Sequence, residues 1–135
     1  MDNKDCKLKM DELYFSKYDF LQTREDTNAD YNTSFHISYA ASSKDSSKYR
    51  ITITTSVKNE TGSISINLET VGIFTIDDTG LNEDISEQLI KINTVAIMFP
   101  FIRSQISLLT TQPGLTPIML PPINISALID LEDSN

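Results

Sequence analysis

The sequence has few of the residues that reactive or cross-linked sites require. It contains one cysteine, Cys6, one histidine, His36, and no tryptophan. A single cysteine excludes an intramolecular disulfide, and a single imidazole argues against a zinc site built from histidine and cysteine. The chain also lacks a long uncharged apolar run and a hydrophobic signal core near its start, so we expect it to remain in the cytoplasm.

Basic residues are scarce in the second part of the sequence. Residues 51–135 contain 3 basic and 10 acidic side chains, whereas residues 1–50 contain 8 and 9. The formal net charge of −8 argues against nucleic-acid binding, because a phosphate backbone requires clustered Lys and Arg. The acidic surface has two interpretations at this point: it keeps the protein soluble, or it docks a basic partner.

The length of 135 residues suits one domain with a core of its own. We expect a single domain over residues 1–135, with a mobile leader over residues 1–12 and an acidic tail over residues 130–135. Ser, Thr and Asn together supply 38 residues, and they alternate with apolar residues in the first half of the chain.

This alternation predicts β-strands, because successive side chains of a strand point to opposite faces. A change of phase beside Gly72 predicts a β-bulge or a close approach of another element to the backbone. A break in the pattern near Ser16 divides the first strand. The predicted strands are Leu13–Leu21, Tyr31–Ala41, Tyr49–Val57 and Ser63–Ile76.

The pattern then changes to apolar residues at steps of three and four, which predicts one long helix over Asp84–Thr111. Asp84 with Glu87 three residues later suits the start of that helix, and Pro100 is expected to kink or interrupt it. The following segment, 115–125, contains three prolines and is predicted to be extended. A short final helix is predicted to begin at Asn124 or Ser126.

No catalytic motif emerges from the residues. His36 is placed by alternation on the polar face of its strand, and phosphate-binding glycine motifs are absent. Asp77 and Asp78 follow a strand and suit an acidic turn; an enzyme that uses these two carboxylates remains the alternative. We therefore expect no enzyme activity, no catalytic residue, no cofactor and no metal.

Three motifs in the second half resemble the SecB protein-export chaperone family. Gly72–Ile76 (GIFTI) is similar to the family's GIFxI, and Phe99–Arg103 (FPFIR) is similar to FPYAR within its long helix. Residues 122–128 (PINISAL) resemble PVNFxAL at the start of its last helix. The three motifs occur in the family's order and cover about residues 49–129. Phe99, Pro100, Phe101 and Arg103 are the motif residues of the oligomer-forming helix.

The resemblance implies an α+β fold, with a four-stranded antiparallel sheet and a long Pro-interrupted helix and a short C-terminal helix on one side. It also implies a homotetramer, a dimer of dimers, that holds non-native polypeptides without ATP. In this family, clients bind an apolar groove beside the proline-rich crossover. The groove positions carried over are Phe35, Phe74, Ile118, Leu120, Ile123, Ile125, Leu128 and Ile129.

The resemblance leaves the biological role open among three alternatives. In protein export, the family docks the SecA motor ATPase through acidic residues on the sheet; here Asn67 replaces an expected Glu, and Glu69, Asp77 and Asp78 are the docking candidates. The second alternative is a SecB-like chaperone dedicated to an antitoxin of a toxin–antitoxin system. The third alternative is an adaptor that acts outside export. All three predict polypeptide partners and a protein that is at most peripheral to a membrane.

Overall fold

The computed structural model describes residues 7–23, 30–77, 83–122 and residue 125. Four strands form one antiparallel sheet in the order β1-β4-β3-β2. The strands are β1 (Lys7–Gln22), β2 (Tyr31–Ala41), β3 (Lys48–Asn59) and β4 (Ile64–Asp77), followed by the helix α1 (Glu83–Leu109). The predicted fold class is confirmed. Of the predicted final helix, only Ile125 is described, and it is helical.

Strand β1 is longer than the sequence pattern predicts. It begins at Lys7, so residues 7–12 pair with β4 instead of belonging to a mobile leader; residues 1–6 lie outside the described chain. The pairing of β1 with β4 shifts twice, once between Met10 and Glu12 and once between Phe15 and Lys17. Each irregularity displaces the alternation by one residue, which explains why a period-two pattern detects only part of this strand. The predicted break near Ser16 is the second shift.

The two faces of the sheet differ as alternation predicts. The face that packs against α1, the inner face, contains fully buried residues such as Ile53, Ile66 and Leu68. On the opposite, outer face, Thr54 is partly exposed and His36 and Asn67 are exposed. Ser63, just before β4, is an exception to the polar and solvent-exposed character of the outer face. It is buried, and its hydroxyl accepts a hydrogen bond from Asn59 Nδ2 at 2.6 Å in the β3–β4 turn.

Helix α1 packs closely against the sheet at Gly72. A Cβ atom at this position would lie 2.7 Å from Phe74 Cε1 and 2.9 Å from Met98 Sδ, both shorter than ordinary contacts. The β3–β4 register continues through the pair Ile51 and Gly72 without a shift. The sequence allowed a bulge or a close approach at this glycine, and the structure shows the close approach.

The ends of α1 differ slightly from the prediction. The helix begins at Glu83, so Asp84 lies inside its first turn instead of capping it. It ends at Leu109, two residues before the predicted end, and Gly114 adopts a φ of 77° in the turn that follows. The helix continues through Pro100. This is tolerated because Pro100 and Ala96, whose carbonyl loses its helical donor, both lie on the exposed side.

Candidate functional site

A proline-rich segment, residues 115–122, returns along α1; we call it the crossover. Three side chains of α1 and its C-terminal turn bind its backbone. Thr110 Oγ1 accepts a hydrogen bond from Ile118 N at 2.8 Å, and Ser107 Oγ donates to the carbonyl of Ile118 at 3.1 Å. Arg103 Nε donates to the carbonyl of Leu120 at 3.0 Å. These bonds satisfy backbone groups that a strand neighbour would otherwise satisfy, so the crossover is held extended without joining the sheet.

The crossover presents alternate side chains to opposite sides. Ile118 and Leu120 are buried in the core, whereas Met119, between them, is 73% exposed. Met119 borders an open groove of about 520 Å³ between α1 and the crossover, which we call the crossover groove. Its lining residues are Pro100, Arg103, Ser104, Ser107, Leu108, Thr111, Met119 and Leu120. The groove is therefore a mixed apolar and hydroxyl surface with a single cation.

The outer side of α1 continues this apolar surface. Ile97, Phe101 and Leu108, spaced by four and seven residues, lie on one side of the helix; we call them the helix stripe. Phe101 is 46% and Leu108 is 65% exposed. The stretch Ile90–Leu109 has a mean hydropathy of 1.3 and is, by length and composition alone, apolar enough to cross a membrane. Only 33% of this stretch is buried within the protein. An apolar helix with one open side suits contact with a further protein surface.

A second apolar surface lies on edge strand β1. Tyr18 is paired with Leu68 and Phe20 with Ile66, which places both aromatic residues on the inner face. Phe20 is half-buried, but Tyr18 remains 54% exposed although its partner Leu68 is fully buried. The covering of the inner face is thus incomplete near β1.

The predicted groove residues do not form one open surface. Phe74, Ile118 and Leu120 are buried in the core, and Phe74 has no exposed area in this fold. Phe35 and Ile125 are half-buried against the same core. Ile123, Leu128 and Ile129 lie outside the described residues.

The Phe99–Arg103 motif joins the two sides of α1. Phe99 points inward and contacts Phe35 edge-to-face, with ring centroids 5.6 Å apart. Pro100 and Phe101 are exposed, and Arg103 binds the crossover. The motif residues therefore differ in what they contact: Phe99 packs in the core, Pro100 and Phe101 face solvent, and Arg103 binds the crossover. The sequence predicted only that they lie on the helix.

The acidic docking candidates are not brought together. Glu69 is half-buried and accepts a hydrogen bond from Ser16 Oγ at 2.6 Å. Asp77 is exposed on the same face of β4, about 27 Å away at roughly 3.4 Å per residue; Asp78 lies outside the described residues. Cations such as Lys17 and Arg50 occupy neighbouring outer-face positions, so Glu69 and Asp77 do not form one acidic patch.

The outer face carries one connected ionic cluster. The Asp11 carboxylate accepts a hydrogen bond from Thr75 Oγ1 and lies 3.0 Å from Lys48 Nζ. The hydrogen bonds from Thr75 and Lys48 lower the pKa of Asp11 below its ordinary value. Among the described residues, no group of three or more His, Cys, Asp or Glu side chains is placed to hold a metal ion.

Sequence reasoning missed Met119 and Tyr18 as accessible apolar residues. For Met119 a signal was available, because alternation in an extended segment with Ile118 and Leu120 inward requires Met119 to point outward. For Tyr18 there was no such signal, because the two register shifts in β1 hide which residues share a face.

Comparison with known proteins agrees with this architecture. A family model described as SecB, preprotein translocase subunit SecB, matches residues 12–134. Protein-export protein SecB of Anaplasma phagocytophilum is 35% identical over 60 residues, which are 44% of this chain and 38% of that protein. An uncharacterized protein of Methanocaldococcus jannaschii is 32% identical over 66 residues, 49% of this chain and 41% of that protein. The matched stretches thus span about two fifths of the length of these curated relatives.

Two solved structures share the fold. One is a SecB-like chaperone of Mycobacterium tuberculosis in complex with a ChAD peptide from the HigA1 antitoxin; it matches with a TM-score of 0.71 and 15% identity, covering 87% of this chain and 88% of that chain. The other, a protein of unknown function from Streptococcus agalactiae, has a TM-score of 0.52 and 10% identity, covering 87% and 99%. With a family match that extends over nearly the whole sequence, the chain belongs to the SecB family.

Proposed function

We propose that this protein is an ATP-independent holdase that binds unfolded or non-native polypeptides through the crossover groove. The observation that carries the proposal is the placement of Met119 and Leu108, two large apolar side chains that border the groove and are 73% and 65% exposed. Membership of the SecB family supports polypeptides as the ligands.

The chemistry of the groove suits ligands of varied sequence. Burying one Met, Leu or Phe side chain contributes about 1.5–3 kcal/mol, and this contribution depends on apolar area and not on direction. Met side chains also adapt their shape to different partners. The guanidinium group of Arg103 uses its Nε for the carbonyl of Leu120 and has further N–H donors for backbone carbonyls of an extended chain. The hydroxyl groups of Ser107 and Thr111, by contrast, already donate to carbonyls within the protein. Binding of this kind needs no nucleotide and no cofactor, and we place it in the cytoplasm.

We further propose that a second copy of the chain covers the helix stripe at Ile97 and Phe101, within the homotetramer that the family resemblance implies, and leaves Leu108 open at the groove. The stripe adjoins the crossover groove at Leu108, so assembly would extend the groove with surface from a neighbouring subunit. An assembled stripe would also remove from water the apolar side of α1 that the single chain leaves open.

The experiment is suppression of aggregation of a chemically denatured client, measured by light scattering without ATP. The wild-type protein is expected to suppress aggregation, and Met119→Asp is expected to weaken suppression about tenfold or more, because an ionised carboxylate disfavours an apolar ligand. Thr116→Asp adds the same charge at an exposed crossover position and serves as the matched control. Equal activity of wild type and Met119→Asp would contradict the groove assignment.

A second candidate role is protection of an antitoxin. It is favoured by the structural match over 87% of this chain to a SecB-like chaperone in complex with an antitoxin peptide. The export role is favoured by the relative named protein-export protein SecB. A toxin–antitoxin gene pair beside this gene, and an antitoxin bound at least tenfold more tightly than unfolded preproteins, would select the first. Comparable binding of many preproteins, together with binding to the SecA motor ATPase, would select the second.

A further inference from the structure

A basic pocket lies at one end of the outer face of the sheet, where β2 turns into β3. It has a volume of about 540 Å³ and is lined by Lys44, Lys48 and Arg50 together with small and apolar residues. No carboxylate is among its lining residues. This composition contrasts with the formal net charge of −8 for the whole chain, and nothing in the proposed client binding uses the pocket.

Two of the three cations are available to a ligand. Lys48 Nζ is occupied, because it lies 3.0 Å from Asp11 Oδ2 and 2.8 Å from Thr75 Oγ1. Lys44 and Arg50 are exposed, and neither forms an ion pair with any residue in the described part of the chain.

The carboxylates of Asp45, Asp11 and Glu12 lie outside the lining of the pocket, and none of them forms an ion pair with Lys44 or Arg50. Asp45, in the turn, accepts hydrogen bonds from Ser47 N and Ser47 Oγ at 3.0 and 2.6 Å. Asp11 is shared by Lys48 and Lys9. Glu12 faces Arg50 across Ile73 in the strand register, at about 10 Å for two strand spacings, a distance over which salt screens much of the attraction.

The rest of the lining selects among anionic ligands. Ala40, Tyr49 and Ile73 line the pocket beside the cations and provide a small apolar surface that a free inorganic anion would not use. A nucleic acid would carry its negative charge well beyond the pocket and over the acidic remainder of the molecule, whereas a short acidic segment would confine its charge to the pocket. We propose that this pocket binds an acidic segment of a partner polypeptide, whose carboxylates pair with Lys44 and Arg50 while small apolar side chains contact Ile73.

The test is fluorescence anisotropy with a labelled peptide of alternating Glu and Ala, titrated with the full-length protein at low ionic strength. The double variant Lys44→Glu, Arg50→Glu is expected to weaken binding about tenfold or more, since it reverses two charge pairs. Lys58→Glu is the matched control: Lys58 is exposed, lies on the same strand and face, and has no ion-pair partner within the described residues. Binding to this control should stay within about twofold of wild type. Equal weakening by both variants would overturn the proposal.

Five further results bear on the same proposal. A Lys-Ala peptide should not bind, and 0.5 M NaCl should abolish binding of the Glu-Ala peptide. If an oligonucleotide of equal charge competes as well as the peptide, the assignment to a polypeptide is wrong. A triple variant neutralises the acidic tail with the substitutions Asp130→Asn, Glu132→Gln and Asp133→Asn. If this variant binds the peptide tenfold more tightly, the occupant of the pocket is the chain's own acidic tail. Met119→Asp should leave this binding unchanged, which separates the pocket from the proposed holdase surface.

Discussion

The two sides of α1 are similarly apolar but have different surroundings. Met98, Ile102 and Ile106, on the inner side, have no exposed area, whereas Ile97, Phe101 and Leu108, on the outer side, are exposed to different extents. The inner side is explained by packing on the sheet. The outer side has no such explanation within the described chain; the proposed contact with clients or with a second copy of the chain would account for its apolar character. The crossover repeats this contrast over three residues, with Ile118 and Leu120 inward and Met119 outward.

The largest expected effect separates two neighbours in the crossover. Leu120→Asp places a carboxylate at a position that is 4% exposed, and an uncompensated buried charge costs about 3–5 kcal/mol. Met119→Asp should change the free energy of unfolding by about 0.5 kcal/mol or less, as is usual for surface substitutions. Urea unfolding of both variants measures the difference. Similar losses of unfolding free energy in the two variants would show that Leu120 and Met119 do not lie on opposite sides of the crossover.

The next pair compares the two sides of the helix directly. Ile102→Ala removes a fully buried side chain and should lower the free energy of unfolding by about 2–5 kcal/mol. Phe101→Ala should leave it nearly unchanged at concentrations where the chain is dissociated, but should weaken self-association in sedimentation velocity runs. Ile85→Ala, at another exposed apolar position of α1, controls for loss of apolar surface alone. Unaltered association of Phe101→Ala would contradict the assembly role of the helix stripe.

A smaller effect is expected where the inner side meets the sheet. Gly72→Ala introduces a methyl group that would overlap Phe74 and Met98, and such overpacking costs about 1–3 kcal/mol. Met98→Ala alone should cost about 2–5 kcal/mol because it truncates a fully buried side chain, and the double variant should lose less than the sum of the two single losses, because Met98→Ala removes one of the two clashing side chains. Additive losses in a double-mutant cycle would mean that α1 does not press on Gly72.

The smallest effect concerns the outer face and is set by pH. The folded-state pKa of Asp11 is lowered, first by the hydrogen bond from Thr75 and then by Lys48. Its contribution to stability is therefore present above its ordinary pKa near 3.9 and is lost as the pH falls through the lowered value. Asp11→Asn should be slightly less stable than wild type at pH 7, and the difference should be smaller at about pH 3, below the ordinary pKa of the carboxyl group. Urea unfolding at both pH values tests this; a pH-independent difference would contradict it.

The sequence predicted the parts of the fold that follow a regular period. Strand β2 was located at its observed bounds, and α1 began within one residue of Asp84. The predicted strand β1 was shorter than the observed one because the two register shifts in this strand break the alternation. The site was less predictable, since the groove positions carried over from the family included Phe74 and left out Met119, and only three-dimensional packing shows that the first is buried and the second exposed. The cations that line the basic pocket come from the β2–β3 turn and strand β3, and no spacing motif indicated that they line one pocket.

The most direct test of the proposed holdase surface is site-specific photo-crosslinking to an unfolded polypeptide. A photoreactive amino acid would replace Met119 in one protein and Thr54, on the outer face of the sheet, in another. Mass spectrometry of the adducts would then locate the client. We predict efficient crosslinking from position 119 without ATP and little from position 54. Crosslinking only from position 54, or from neither position, would contradict the assignment of client binding to the crossover groove.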